Sequence, residues 1–494
     1  MPQLTPYILR DLRQGVYRKS SISSYLMPAN TVSHSMNVNF DTIIGSVVVR
    51  NGTTKIGTTG ITNKVPLGLT NFLSGGGVKN LIIAVYPTAG AGTGVIYYYD
   101  VAAAIPAWTA SSTTTLNITA KNRFASIGNM VFITNGVDSM KASSDGATWV
   151  TTNCLSTSKP TLLIRAKNRL LAAGDPTYKD RVYFSSIISP VASPFITWSE
   201  NATTGDWIDI NPDDGGNVTG FAQTSSTVLV FKSNGMYRLS VISKTVDADN
   251  IFNIGAVSQE AIVECQGVVY FFSGQDIRRT SGDFPEQISR LGVQDFIDAI
   301  PQTSWTSVCS GTDGFNIYFF IGDITLETSR NEQETFTNVV LKFSPRDQSW
   351  SVHSYADTFK FFSKYVSSSG IKLIGQDSSG DIQTLNLGTT DNTAPIYYDL
   401  RTQEIELGDR SHVKKIQDKI VVFMNNGIDG QLLIRQDDGD FKPVKIGLND
   451  RVNIGRNLDI EARYLTFRWN GLSSGTAPIF EGIEIEKVND IGTQ

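Results

Sequence analysis

The chain has 494 residues, 40% of them hydrophobic and 18% charged, with a net charge of −5. So few charges, with Ser, Thr, Asn and Gly holding the polar positions, exclude a mainly helical protein, whose exposed faces carry Glu, Lys and Arg. The acidic balance excludes one that grips nucleic acid by its phosphates, and no apolar window nears the roughly 20 residues of a membrane-spanning helix.

Residues 1–13 lack a basic segment followed by an apolar stretch, so folding in the cytoplasm is expected. The first 60 or so residues show no clean period and read as an extended N-terminal strap, residues 1–60. Residues 37–41 and 45–52 read as two short strands, the second entering an Asn51-Gly52 turn. The mixed aromatic and basic character of residues 1–28 points to part of an interface between copies, removable without loss of the fold.

From Leu81 a unit recurs: a short apolar strand, a turn rich in Gly, Asn or Asp, then a second strand that often closes on Trp. The first strands begin near Leu81, Asn129, Arg169, Thr227, Gly267, Phe315 and Ile371, about 40 to 58 residues apart. That is the period of propeller blades. One four-stranded sheet cannot bury both its faces, whereas a ring of sheets buries each on its neighbour and leaves only short edges. The expected fold is therefore all-β: a β-propeller over 61–393, six blades fitting best with five or seven open. Two stacked β-sandwiches are the alternative, but they predict shorter alternating strands. A helix is expected over 285–300, stopped by Pro301, as an insertion between blades. Beyond Ala394 the strands alternate, as in Arg463 to Trp469 and Phe480 to Glu486, which predicts a β-sandwich-like C-terminal domain over 394–494. This segment also carries acidic clusters at 404–409 and 437–440.

Little in the sequence points to chemistry. The Gly-rich stretch 90–94 lacks the Lys-Ser/Thr and the helix start of a phosphate loop, and reads as a hairpin turn. Asp206, Asp209, Asp213 and Asp214 gather around Trp207, and carboxylates beside an aromatic platform make Asp206, Trp207 and Asp209 candidate glycan contacts. The plainer reading is a solvated turn, because 211–216 is rich in turn formers. Cys154, Cys265 and Cys309 stand singly, and His34, His353 and His412 lie far apart. No Gly-x-Ser-x-Gly elbow is present, and 426–440 lacks the terminal Glu of an EF-hand loop. No catalytic residue, cofactor or metal is expected. Ser143, Asp145, Gly146 and Trp149, within SSDGATW, are similar to the Asp-box turn of sialidase-like propellers, a structural device in which the Asp caps its own turn and the Trp packs beneath it.

Two stretches carry a wider resemblance. Residues 30–57 contain the pattern Gly-x-hydrophobic-x-x-Arg-x-Gly, ending at Arg50 and Gly52. Residues 165–198 run Arg-Leu-x-x-Ala-Gly-Asp-Pro, then Arg181-Val182-Tyr183-Phe184-Ser185 and Trp198. Both resemble the tail hub, nozzle or head-to-tail stabilisation propellers of short-tailed bacteriophages. The resemblance implies a structural, non-enzymatic virion protein, made in the bacterial cytoplasm and built into the tail. It implies copies of itself in a ring, adaptor or portal and fibre or spike proteins as neighbours, DNA passing without specific binding, and no membrane insertion. A receptor-binding tail-tip protein and a sialidase-like glycan-degrading propeller are the rival readings.

Overall fold

The computed structural model describes residues 3–492 except 5, 19–25, 29, 58–64, 75–78, 88–92, 113–114, 189–195, 202, 204, 247–250, 328–332, 408–410 and 427–429. The Gly-rich stretch 90–94 falls largely outside the described residues, as do Asp409 and Gly427.

Seven antiparallel meanders form the propeller. Blade I is Gly68–Leu73, Asn80–Pro87, Gly94–Asp100 and Trp108–Ala110, and blade II is Arg123–Ile127, Met130–Thr134 and Lys141–Ser143. Blade III is Leu162–Ala166, Arg169–Ala173, Arg181–Phe184 and Trp207–Asp209; blade IV is Val218–Gln223, Val228–Lys232, Gly235–Ser240 and Thr245–Val246. Blade V is Ile262–Cys265, Val268–Phe272, Ile277–Thr280 and Glu286–Gln287; blade VI is Cys309–Thr312, Ile317–Glu327, Gln333–Ser344 and Ser349–Ser354. Blade VII is Phe359–Ser367, Gly370–Asp377 and Ile382–Leu385, completed by Thr53–Lys55 from the other end of the chain.

The first strand of each blade neighbours that of the next, and blade VII returns to blade I, so the ring is closed. The expected six blades are corrected to seven. The seven apolar runs of the sequence are the second strands of seven blades. The count was ambiguous because blade II has three described strands and blade VII borrows its outermost one. The second strands of blades III and IV are buried throughout, because each face lies against a neighbouring sheet.

The sandwich is larger than the segment 394–494 expected for it. One sheet holds Gln3–Leu4, Tyr7–Leu9, Val38–Asn39, Val47–Val49, Val413–Asn425, Val452–Ala462, Ile479–Ile485 and Val488–Gly492. The other holds Val32–Met36, Ile396–Thr402, Ile405–Glu406, Gln431–Gln436, Phe441–Ile446 and Tyr464–Ser473. The expected strap is therefore interior β-structure: its strands finish both sheets before the chain crosses at Arg50–Gly52 to close blade VII. The Asn51-Gly52 pair is not a hairpin turn, since the strands on either side of it belong to different bodies. Gly52 is required at this crossing, because a Cβ there would lie 1.8 Å from the Thr390 carbonyl oxygen.

The described residues among 1–28 do not form a detachable arm. Leu9, Leu12 and Val16 are buried in the core, and the Val16 amide donates to the Trp350 carbonyl (3.0 Å). One core runs through the sandwich, where Trp469 packs on Tyr398 and Phe480, into Phe319, Leu341 and Val352 of blade VI. The long hairpin of blade VI extends this contact, with Phe336 packing on Phe296 and His34. The expected helix over 285–300 shrinks to Gln294–Asp298, because Glu286–Gln287 pairs with Arg278 and Arg279 as the outer strand of blade V. Hydrogen-bonding that sheet edge outweighs the helical spacing of the apolar residues.

Candidate functional site

The turn at Ser143 is built from its own side chains. Ser143 Oγ accepts from the Gly146 amide (2.9 Å), and Asp145 Oδ1 accepts from the amides of Ala147 and Thr148 (both 2.9 Å). Trp149, buried beneath, donates from Nε1 to the Gly146 carbonyl (3.0 Å). Gly146 has φ 76°, a left-handed conformation that a side chain disfavours. Burial would raise the Asp145 carboxyl, but the amides of Thr148 and Ala147 outweigh it and hold it below the usual carboxylate range. All four residues serve the turn.

The acidic cluster of blades III and IV comes apart. Trp207 and Asp209, two residues apart on one strand, share a face with Arg181 on the neighbouring strand. Arg181 forks onto Asp209 (2.8 and 3.0 Å) and lies 3.5 Å from the centre of the Trp207 ring. Asp206, one position off in the alternation, is ion-paired with Lys244 of blade IV. Asp214 lies elsewhere, bound to the buried Lys232 ammonium (2.5 Å) and to Tyr237 Oη (2.7 Å), and Lys232 also reaches Asp180 (2.8 Å). A glycosidase needs two carboxylates facing one bond, and here Asp206, Asp209 and Asp214 are committed to three different cations while Asp213 is exposed on the turn. The cysteines are free and, for Cys265 and Cys309, buried. Among the described residues no group of three or more His, Cys, Asp or Glu is arranged to hold a metal.

Two charged clusters that the sequence did not reveal hold the body together. The first crosses the propeller axis. Arg123, on the first strand of blade II, forks onto Glu260 at the start of blade V (2.8 and 3.0 Å) and donates to the Thr161 carbonyl of blade III (3.0 Å). Lys121 adds its charge at 3.7 Å from Glu260 and donates to the Thr306 carbonyl ahead of blade VI (2.9 Å). Blades II and V lie on opposite sides of a seven-membered ring, so this pair bridges the axial channel. Burial would raise the Glu260 carboxyl, but Arg123 and Lys121 outweigh it and hold it ionised below the usual range. No sequence signal marks this contact, whose partners are 137 residues apart.

The second cluster welds propeller to sandwich. Arg50, fully buried, spends all five N–H donors: Nε on Asn37 Oδ1 (2.7 Å), Nη1 on the Asn51 carbonyl (2.9 Å) and Asp391 (2.8 Å), and Nη2 on the Ser354 carbonyl (2.7 Å) and Asp391 (2.6 Å). Its guanidinium lies 4.0 Å from the Tyr355 ring centre. Beside it, burial and the charges of Arg50 and Lys342 push His353 well below the ordinary histidine value, so it is neutral. At the other end of the interface Glu334, on the blade VI hairpin, meets Arg18 (2.9 Å), Arg401 (2.5 Å) and His34 (3.6 Å). Asp399 in the sandwich meets Arg468 (2.8 Å), Arg401 (3.2 Å) and the other side of His34 (3.4 Å). Burial would raise both carboxyls, yet His34 and the arginines outweigh it and hold them far below the usual range.

No family model matches this chain, and no curated protein matches it. Among solved structures it is similar to YCF48 bound to D1 peptide (10% identity over 68% of this chain and 95% of that one, TM-score 0.39). It is also similar to the β-propeller domain of Myceliophteria thermophila Cps50 (Swd1) (12%, 67% and 100%, TM-score 0.40) and to Saccharomyces cerevisiae Sqt1 (11%, 69% and 99%, TM-score 0.39). The chain is an all-β protein whose propeller rests on its closed ring of seven sheets.

Proposed function

We propose that this chain is a structural protein of a bacteriophage particle, a rigid subunit of a multi-copy ring at the tail or head-to-tail vertex. The observation that carries the reading is where the residues of the two phage-like stretches lie. Arg50 and Gly52 form the crossing between the two bodies, and Gly174, Asp175 and Arg181 form the framework of blade III. Asp175 accepts from the amides of Lys159 (2.7 Å) and Thr177 (2.8 Å), tying blade III to the segment that leads into it. The resemblance therefore lies in residues that hold a shape, as a shared architectural role requires.

Rigidity is what a ring subunit needs, and the Arg50 weld and the bridged axis supply it. A closed ring also needs two unlike contacting faces, and a propeller fused to a sandwich offers them. With Arg123 and Glu260 across the propeller's own axis, any DNA channel runs between subunits, not through one. The enzyme reading is disfavoured because Asp206 and Asp209 are committed to separate cations.

The test is single-particle electron microscopy of the isolated protein over a concentration series, with mass measured in parallel. Closed rings of defined copy number with an open centre are expected. A monomer at every concentration that also fails to join rings when mixed with purified phage portal and adaptor would refute the proposal.

A further inference from the structure

Lys342 lies on the third strand of blade VI, yet only 7% of its side chain is exposed. Its ammonium is turned toward the N-terminal segment. It donates to Asn39 Oδ1 (2.9 Å), 303 residues away in the chain, and to both oxygens of Asp41 (2.7 and 2.9 Å). Asn39 ends the sandwich strand Val38–Asn39 and is itself buried. His353, fully buried on the fourth strand of blade VI, shares the Lys342 face of that sheet, and its Nε2 lies 3.1 Å from the same Asn39 oxygen.

These contacts fix the chemistry of each group. An ammonium only donates, so the amide atom facing it is Oδ1 and not Nδ2. That oxygen carries no proton, so the neutral His353 imidazole donates to it from Nε2. The Asn39 carbonyl thus receives two hydrogen bonds, which draw electrons from Cγ, one bond beyond the oxygen that Lys342 touches. The Asp41 carboxylate, in contact with the ammonium, is placed to take its proton and free a nucleophilic amine. Lys232, also buried, meets two carboxylates and two backbone carbonyls, which hold an ammonium and offer it no side-chain amide.

We infer that Lys342 and Asn39 join in an isopeptide bond that ties blade VI covalently to the sandwich. Asp41 takes a proton from Lys342, and the amine lone pair forms the Nζ–Cγ bond while His353 holds the charge that gathers on Oδ1. Nζ gives up two protons in all through Asp41, and both depart on the leaving nitrogen, as ammonium, when the Cγ–Nδ2 bond breaks with its electron pair. No oxidant, reductant or further reactant is needed. The bond sits beside the Arg50 weld, whose partner Asn37 precedes Asn39 by two residues, and it stands whether or not the chain is a phage ring subunit.

Intact-mass spectrometry of the denatured full-length protein should read the sequence mass less one ammonia. Trypsin should then release residues 20–50 joined to residues 331–346, uncut after Lys342, in place of separate peptides. Lys342→Met should restore the full mass. Asp41→Ala should restore it as well, because both partners remain and only the proton carrier is gone. The wild-type result decides the matter even where a variant does not fold. Wild type at the full sequence mass overturns the inference, as does loss of ammonia with the two peptides separate. An Asp41→Ala protein joined as fully as wild type overturns the role given to Asp41.

Discussion

Replacing Arg50 by Met keeps most of the side-chain volume and removes the guanidinium that welds propeller to sandwich. The structure sets the size of the effect. The substitution leaves the Asp391 carboxylate buried without its cation, and orphans the carbonyls of Asn51 and Ser354, while Asn37 Oδ1 keeps the Ser354 amide (2.8 Å). Breaking a buried ion pair by removing one partner costs about 3–5 kcal/mol, and each orphaned acceptor adds on the order of 1 kcal/mol. A destabilisation of about 5–7 kcal/mol is expected, a large share of the roughly 5–15 kcal/mol that holds a native fold. Denaturant unfolding followed by tryptophan fluorescence measures it, with Asp391→Asn and the double variant completing a cycle. Because the two groups share one interaction, their effects should fall short of additivity by about 2 kcal/mol or more. Limited proteolysis should cut Arg50→Met first near the crossing at residues 50–52. An Arg50→Met cost under about 1 kcal/mol, or strictly additive single effects, would refute the view that this residue joins the two bodies.

The remaining expectations concern acid, one turn and the N-terminus. Glu334 and Asp399 have folded values depressed below the unfolded carboxylate range of about 4. Their stabilisation is therefore complete above that range and is lost as pH falls through the folded values. An acid titration followed by circular dichroism should show wild-type stability falling below about pH 4, with a shallower fall in Glu334→Gln and Asp399→Asn. Gly146→Ala forces a side chain into φ 76° and sets its Cβ 3.0 Å from Leu81 Cδ1. It should cost about 1–3 kcal/mol in thermal unfolding, and an unchanged midpoint would remove the turn from the stability of blade II. Deleting residues 1–28 should leave an insoluble or molten product, because Leu9, Leu12 and Val16 belong to the core; a soluble, cooperatively folded product would contradict the tertiary structure.

Local patterning along the chain is enough to fix the β-class and the propeller. Apolar runs such as Leu81 to Tyr86 and Val228 to Phe231 declare strands covered on both faces, and their recurrence declares a ring. The Asp-box-like turn was legible because Ser143, Asp145, Gly146 and Trp149 act on one another within seven residues, so spacing alone specifies the geometry. Alternation after Ala394 likewise announced a sandwich with one wet face.

The remaining features depend on partners far apart in the chain. Thr53–Lys55 reads as an isolated scrap of strand until Ile382–Leu385 lies beside it, so neither the blade count nor the fate of the strap could be read locally. Arg123 and Glu260, Arg50 and Asp391, and Glu334 with Arg18 and Arg401 are ordinary charged residues in sequence. They become structural only when folding removes the water around them, because a charge stripped of solvent must find its opposite. The same alternation that placed Trp207 and Asp209 on one face of the strand sent Asp206 to the other. A cluster of carboxylates in sequence was thereby divided between two neighbouring blades.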